Sequence, residues 1–169
     1  MKVIFLDIDG VLITANNSHN SLHDEPRSSG EPNGFNRDAV DNLNSVIEKT
    51  DAKIVISSSL RFSNSARQLV SILQYGGVNN PPVIDVTPVI PDMRTKRSHR
   101  GNEILAWLSR HPDVEDYVVI DDCGKEQLAN IPDNRVVSTS YREGFGTEEA
   151  YRKAVQALIK NVSGNGNGK

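Results

Sequence analysis

Short apolar runs alternate with longer amphipathic stretches along this chain, and the two periods separate strands from helices. Lys2–Leu6, Lys53–Ile56, Val83–Val86, Tyr117–Ile120 and Arg135–Val137 are compact and rich in Val and Ile, as buried strands are. Ala39, Val40, Leu43, Val46 and Ile47 recur at helical spacing. Asn36 stands where an N-cap is needed, and Phe35 and Val40 occupy the two positions of a hydrophobic staple. Ala66, Leu69, Val70 and Leu73 predict a second helix that Gly76 stops. Ile104, Leu105 and Leu108 predict a third. Tyr151, Ala154, Val155, Leu158 and Ile159 predict a fourth, capped by Thr147 with Glu148 and Glu149 in its first turn.

Strands that are apolar almost throughout and separated by helices imply a parallel sheet covered on both faces, reached by right-handed crossovers. The expected fold is an α/β three-layer sandwich with a mainly parallel, Rossmann-like sheet. Its length of 169 residues suits one domain, read as residues 1–162. Residues 13–34 are polar and rich in Asn, Ser and Gly, a long loop insertion that is either functional or mobile. The tail at 163–169 holds no apolar residue and reads as disordered.

Composition narrows the class further. The chain carries 19 basic and 22 acidic side chains, and its net charge of −3 argues against wholesale coating of nucleic acid. A single cysteine, Cys123, rules out an internal disulfide framework and fits a reducing compartment. The apolar start is too short for a secretory signal and contains an acid, and no stretch is long enough to span a bilayer. A soluble, cytoplasmic protein without an obligate protein partner is expected.

The candidate chemistry lies where the strands end. The first apolar run stops at Asp7-Ile8-Asp9-Gly10, the second at Ser57-Ser58-Ser59, and the fourth at Asp121-Asp122. In an open parallel sheet, ligands bind beyond the carboxyl ends of the strands, near the point where strand order reverses. Carboxylates gathered there repel one another unless a cation sits among them. A set of oxygen ligands suits Mg²⁺ with a substrate phosphate, and the four histidines show no zinc-site spacing. Each acidic pair has a plain alternative, a turn for Asp9-Gly10 and a helix N-cap for Asp121-Asp122. Their joint occurrence around a Ser-terminated strand favours a site. Arg94, Lys96, Arg97, His99 and Arg100 crowd the expected start of the third helix, where the helix dipole disfavours positive charge and a bound phosphate would resolve the conflict. Arg61, after the serines, reads as solvated or as steering an anionic substrate. Trp107 reads as packing on the sheet, and Cys123, without a partner base, as structural.

Taken in order, these stretches resemble the motifs of haloacid dehalogenase (HAD) superfamily phosphohydrolases. FLDIDGVL is similar to the first motif, VISSS to the second, Arg100 in RGNEILAWL to the basic third, and VVIDD to the acidic fourth. The late stretch VVSTSYREGFG shares the likeness. More narrowly, the set resembles compact HAD domains of nucleic-acid and RNA repair, such as the phosphatase half of polynucleotide kinase-phosphatase.

That resemblance implies a Mg²⁺-dependent phosphomonoester hydrolase. Asp7 would be the nucleophile that forms an aspartyl-phosphate, and Asp9 the group that protonates the leaving oxygen and then deprotonates water. Metal ligands would be Asp7, the backbone carbonyl of Asp9 and a late acid, Asp122 preferred with Asp121 behind it. Ser57 would bind a phosphate oxygen, with Ser58 or Ser59 as substitutes if the strand runs on. Arg100 would bind phosphate, with Lys96 in reserve. The spacing leaves no room for a large cap domain, which favours an open cleft. The substrate would be a nucleic-acid end, such as a 3′-phosphate, or a nucleotide, with a sugar phosphate as the alternative. A phospho-receiver module is disfavoured because its phosphorylated Asp ends a middle strand, and a binding module because all the motif residues are present.

Overall fold

A computed structural model of the chain describes residues 1–15, 34–90 and 99–159. Most of the 13–34 segment, the tail, and the basic residues Arg94, Lys96 and Arg97 lie outside the described residues.

Five strands, β1 (Lys2–Leu6), β2 (Lys53–Ile56), β3 (Val83–Val86), β4 (Asp116–Asp121) and β5 (Val136–Ser138), form one sheet in the order β3-β2-β1-β4-β5. All neighbours are parallel. The chain starts in the centre, winds outward through β2 and β3, then returns to β4 on the other flank. Strand order therefore reverses at β1, where this topology places ligands. Among the described residues four α-helices complete the α/β fold: α1 (Arg37–Thr50), α2 (Ala66–Tyr75), α3 (Arg100–Leu108) and α4 (Glu148–Leu158). No large cap separates these elements among the described residues.

Period-2 alternation sends the side chains of β1 to two cores. Ile4 and Leu6 join Ile54, Ile56, Val118 and Ile120 on the face covered by α1, α2 and α4. Val3 and Phe5 join Val55 and Val119 on the face covered by α3, where Trp107 meets Phe5 edge-on with ring centres 5.5 Å apart. The Trp107 indole N–H donates to Asp85 Oδ2 at 2.7 Å, so the ring is committed to packing.

The helix ends follow local chemistry. Asn36 accepts from Ala39 N at 3.0 Å, and Phe35 and Val40 are both buried, as a staple requires. Ser65 and Gln68 close a capping box on α2, and Thr147 caps α4.

The departures from expectation are small. β4 runs one residue further at each end and β5 lies one residue later. Leu105 is exposed, because α3 directs Ile104 and Trp107 at the sheet instead. Ile159 caps α4 in an extended conformation rather than belonging to it.

Candidate active site

Hydrogen bonding between strands brings the motif ends to one level. Leu6 is in register with Ile56 on one side and with Ile120 on the other. Just beyond, Asp7 N donates to Ile120 O at 3.0 Å and Ser57 N donates to Leu6 O at 2.9 Å. Ser57, Asp7 and Asp121 thus stand side by side on the ends of β2, β1 and β4.

After Asp7 the chain folds sharply back, with the amides of Leu12 and Ile13 both donating to Ile8 O. Gly10 makes this turn at φ 73°, a region that side chains with a Cβ rarely enter. A Cβ on Gly10 would also collide with the Asp122 carboxylate, so the glycine lets Asp122 approach the turn. The turn is braced from behind by the late SYREGFG stretch. Thr139 Oγ1 donates to Gly10 O at 2.9 Å, Phe145 N to Val11 O at 2.8 Å, and Ala15 N to Tyr141 O at 2.7 Å. Gly144 sits at φ 60° directly against Val11 O. The sequence offered only a familiar look for this stretch; its physical role is to hold the acidic turn in shape.

The acids converge. Asp7, Asp121 and Asp122 each offer an oxygen within 4.8 Å of the others. Asp7 and Asp121 are buried, whereas Asp122 and Asp9 are exposed. Asp7 Oδ1 accepts from Ile8 N at 2.8 Å, which fixes the carboxylate's orientation. Arg100 Nη1 lies between two acids, 2.8 Å from Asp121 Oδ2 and 3.2 Å from Asp7 Oδ2. Asp121 Oδ1 accepts from Cys123 N at 2.9 Å, so both of its oxygens already have donors.

Electrostatics show the crowding. Burial pushes the Asp121 carboxyl up to about 6; Asp7 adds to the rise, while Arg100 opposes it. Asp122 is raised by desolvation and by Asp7, and Asp9 by the same two causes. Burial works against the Arg100 charge, but Asp121 and Asp7 outweigh it and raise its pKa. Cys123 is pushed well up by burial and by Asp121, which keeps it a neutral thiol. Three carboxylates with one guanidinium among them leave two negative charges in excess when all are ionised. That donor set fits a hard divalent cation such as Mg²⁺.

A family model, the HAD domain in Swiss Army Knife RNA repair proteins, matches residues 3–150. The chain belongs to this family. Comparison with curated proteins and with solved structures returned no match. Among the described residues of this HAD domain, no helix is long and apolar enough to cross a membrane.

The hydroxyls divide as their positions dictate. Ser57 Oγ is buried with no hydrogen-bond partner. Ser58 Oγ instead accepts from Leu60 N at 3.4 Å, capping the short 3-10 turn Ser59–Phe62, and Ser59 is exposed on that turn. Arg61 departs from its expected solvated role: its side chain is 3% exposed and pairs with Glu103. A polar-looking sequence around Arg61 hid this, because its acidic partner lies 42 residues away on α3. Thr87 Oγ1, at the end of β3, is a second buried hydroxyl without a partner, and nothing in its local sequence marks it.

Proposed function

We propose that this HAD domain hydrolyses phosphomonoesters through an aspartyl-phosphate on Asp7, and that its substrates are phosphorylated nucleic-acid ends or nucleotides. The observation that carries the reading is the convergence of Asp7, Asp121 and Asp122 beside the unpartnered Ser57 hydroxyl. Asp7, Asp122 and the Asp9 carbonyl would hold Mg²⁺, which when bound offsets charge on the carboxylate and the phosphoryl oxygens. Asp121 would stand behind them, fully buried and held by Arg100 and Cys123 N.

One Asp7 oxygen forms the new bond to phosphorus as the ester oxygen departs, and Asp9 gives that oxygen a proton. The raised pKa of Asp9 suits a group that must hold a proton and then release it. Asp9 then takes a proton from water, the water oxygen attacks phosphorus, and the acyl-phosphate bond breaks to regenerate Asp7. Ser57 donates to a phosphoryl oxygen, and Arg100 carries positive charge beside the carboxylate that attacks. The family's association with RNA repair supports an RNA 3′-phosphate as the substrate, and the polynucleotide kinase-phosphatase likeness points the same way.

Turnover of p-nitrophenyl phosphate should require Mg²⁺, stop with EDTA, and fall by more than roughly 10⁴-fold in Asp7→Asn. Activity that persists in that variant would remove the nucleophile. A panel of 3′- and 5′-phosphorylated oligonucleotides, nucleoside monophosphates and sugar phosphates then reads the substrate class. Preference for a sugar phosphate would defeat the end-repair reading.

A further inference from the structure

We infer that the buried Arg61–Glu103 pair is a positioning device that presents the Ser57 hydroxyl to the phosphoryl group and registers α3, with Arg100, against the same site. This rests on the phosphatase reading above and assigns a role to two residues outside the four motifs.

Both side chains are almost wholly enclosed, at 3% and 1% exposure. Burying a charge pair is costly, and apolar side chains of similar volume commonly serve stability as well or better. Holding the fold together does not by itself call for an ion pair here. What an ion pair supplies, and an apolar pair cannot, is direction.

Every arm of the guanidinium is aimed. Nη1 donates to Ser57 O at 2.6 Å and to Ser58 O at 2.7 Å, Nε donates to Thr87 O at 3.2 Å, and Nη2 meets Glu103 Oε2. Glu103 Oε1 in turn accepts from Ile90 N at 3.3 Å. One planar fork thus ties the carboxyl ends of β2 and β3 to the first turn of α3. A lysine, with a single ammonium on a flexible stem, cannot reproduce the fork.

Two of the three residues it holds, Ser57 and Thr87, have unspent hydroxyls; the Ser58 hydroxyl caps the 3-10 turn. Ser57 is fastened through its N–H to Leu6 O and through its carbonyl to Arg61, while its Oγ has no partner. Thr87 is fastened through its N–H to Ile56 O and through its carbonyl to the same guanidinium, and its Oγ1 is likewise unpartnered. A backbone clamped at both ends with a free buried hydroxyl is a preorganised donor, which needs no rearrangement when charge develops nearby. Glu103 follows Arg100 by three residues and so shares its helix face. The same contact therefore sets where the Arg100 guanidinium meets Asp7 and Asp121.

The test is the double variant Arg61→Met with Glu103→Leu, which removes both charges together and strands neither. It should remain folded with a melting temperature at or below that of the wild type, because three strand-end carbonyls lose their donor, while kcat for p-nitrophenyl phosphate with Mg²⁺ falls about 100-fold and KM changes much less. Arg61→Lys should not restore kcat. Hydrogen exchange gives a readout that does not depend on catalysis: amides of residues 57–61 and of Thr87, Val89 and Ile90 should exchange at least about tenfold faster than in the wild type, with β1 and β4 unchanged. A folded double variant with wild-type kcat overturns the inference, as does lost kcat without faster exchange, or failure of the double variant to fold. An inactive wild type would instead sink the phosphatase reading, and the exchange comparison would still decide whether Arg61 clamps the two strand ends.

Discussion

Strand β4 begins and ends in a buried aspartate beside an arginine, and the two ends are built to opposite plans. At its start, Asp116 Oδ1 lies 3.1 Å from Arg135 Nη2, and Arg135 Nη1 donates to Ala157 O at 2.7 Å and to Tyr117 O at 3.3 Å. Among the described residues Asp116 pairs with Arg135, and the arginine lies over the Tyr117 ring. At its end, Asp121 shares a single arginine with Asp7, and Asp122 adds a third carboxylate. Among the described residues, charge is paired where β4 joins its neighbours and left in excess where the three carboxylates could hold a cation. Concavity alone would mislead: a cavity of about 440 Å³ opens beside Asp116 and Arg135, at the balanced end.

The sharpest way to break this contrast is to neutralise one acid at each end. Asp122→Asn should cut Mg²⁺-dependent turnover by about 100-fold, the scale at which disturbed metal sites lose affinity or activity. The same variant should leave the metal-free melting temperature unchanged or raised, because a repulsion is relieved. Asp116→Asn should do the reverse, losing about 1–3 kcal/mol of stability with kcat within about twofold of wild type. Equal activity losses at the two ends, measured with purified and folded variants, would dissolve the distinction.

A smaller effect sharpens it through pH. In EDTA, the folded-state pKa of Asp121 near 6 lies above the ordinary value of 3.8, so the folded chain keeps a proton that the unfolded chain has released. The stabilisation is complete below about pH 4 and is lost as pH rises through 6, on the order of 3 kcal/mol in all. Urea titrations across that range should show this decline in the wild type and a shallower one in Asp121→Asn, where the raised carboxyls of Asp9 and Asp122 remain. Added Mg²⁺ should reverse the trend, because the cation binds ionised carboxylates and protects more as pH rises.

Much of this was legible in the sequence. Three of the five strands have the bounds their apolar runs set, and the caps at Asn36 and Thr147 follow from single residues whose side chains bond the helix they precede. The acidic strand ends were legible because two acidic pairs and a serine run fall at the ends of three separate apolar runs, a joint occurrence that a turn or a cap explains only one pair at a time. What stayed hidden depends on residues far apart in the chain. Arg61 looked like a surface cation until α3 supplied Glu103, and Thr87 drew no reading at all until β3 took its place beside β2. The brace from Thr139 and Gly144 to the Asp9-Gly10 turn spans more than 120 residues, and its contacts are mostly backbone, which leaves little trace in side-chain patterns.

The account turns on whether the excess negative charge between β1 and β4 receives a divalent ion beside a phosphoryl acceptor. A crystal structure with Mg²⁺ and beryllium trifluoride measures this directly. The ion is expected to contact Asp7 and Asp122, with the trifluoride on Asp7 and Ser57 Oγ donating to a fluorine. An ion elsewhere, or a trifluoride on any other residue, would contradict it.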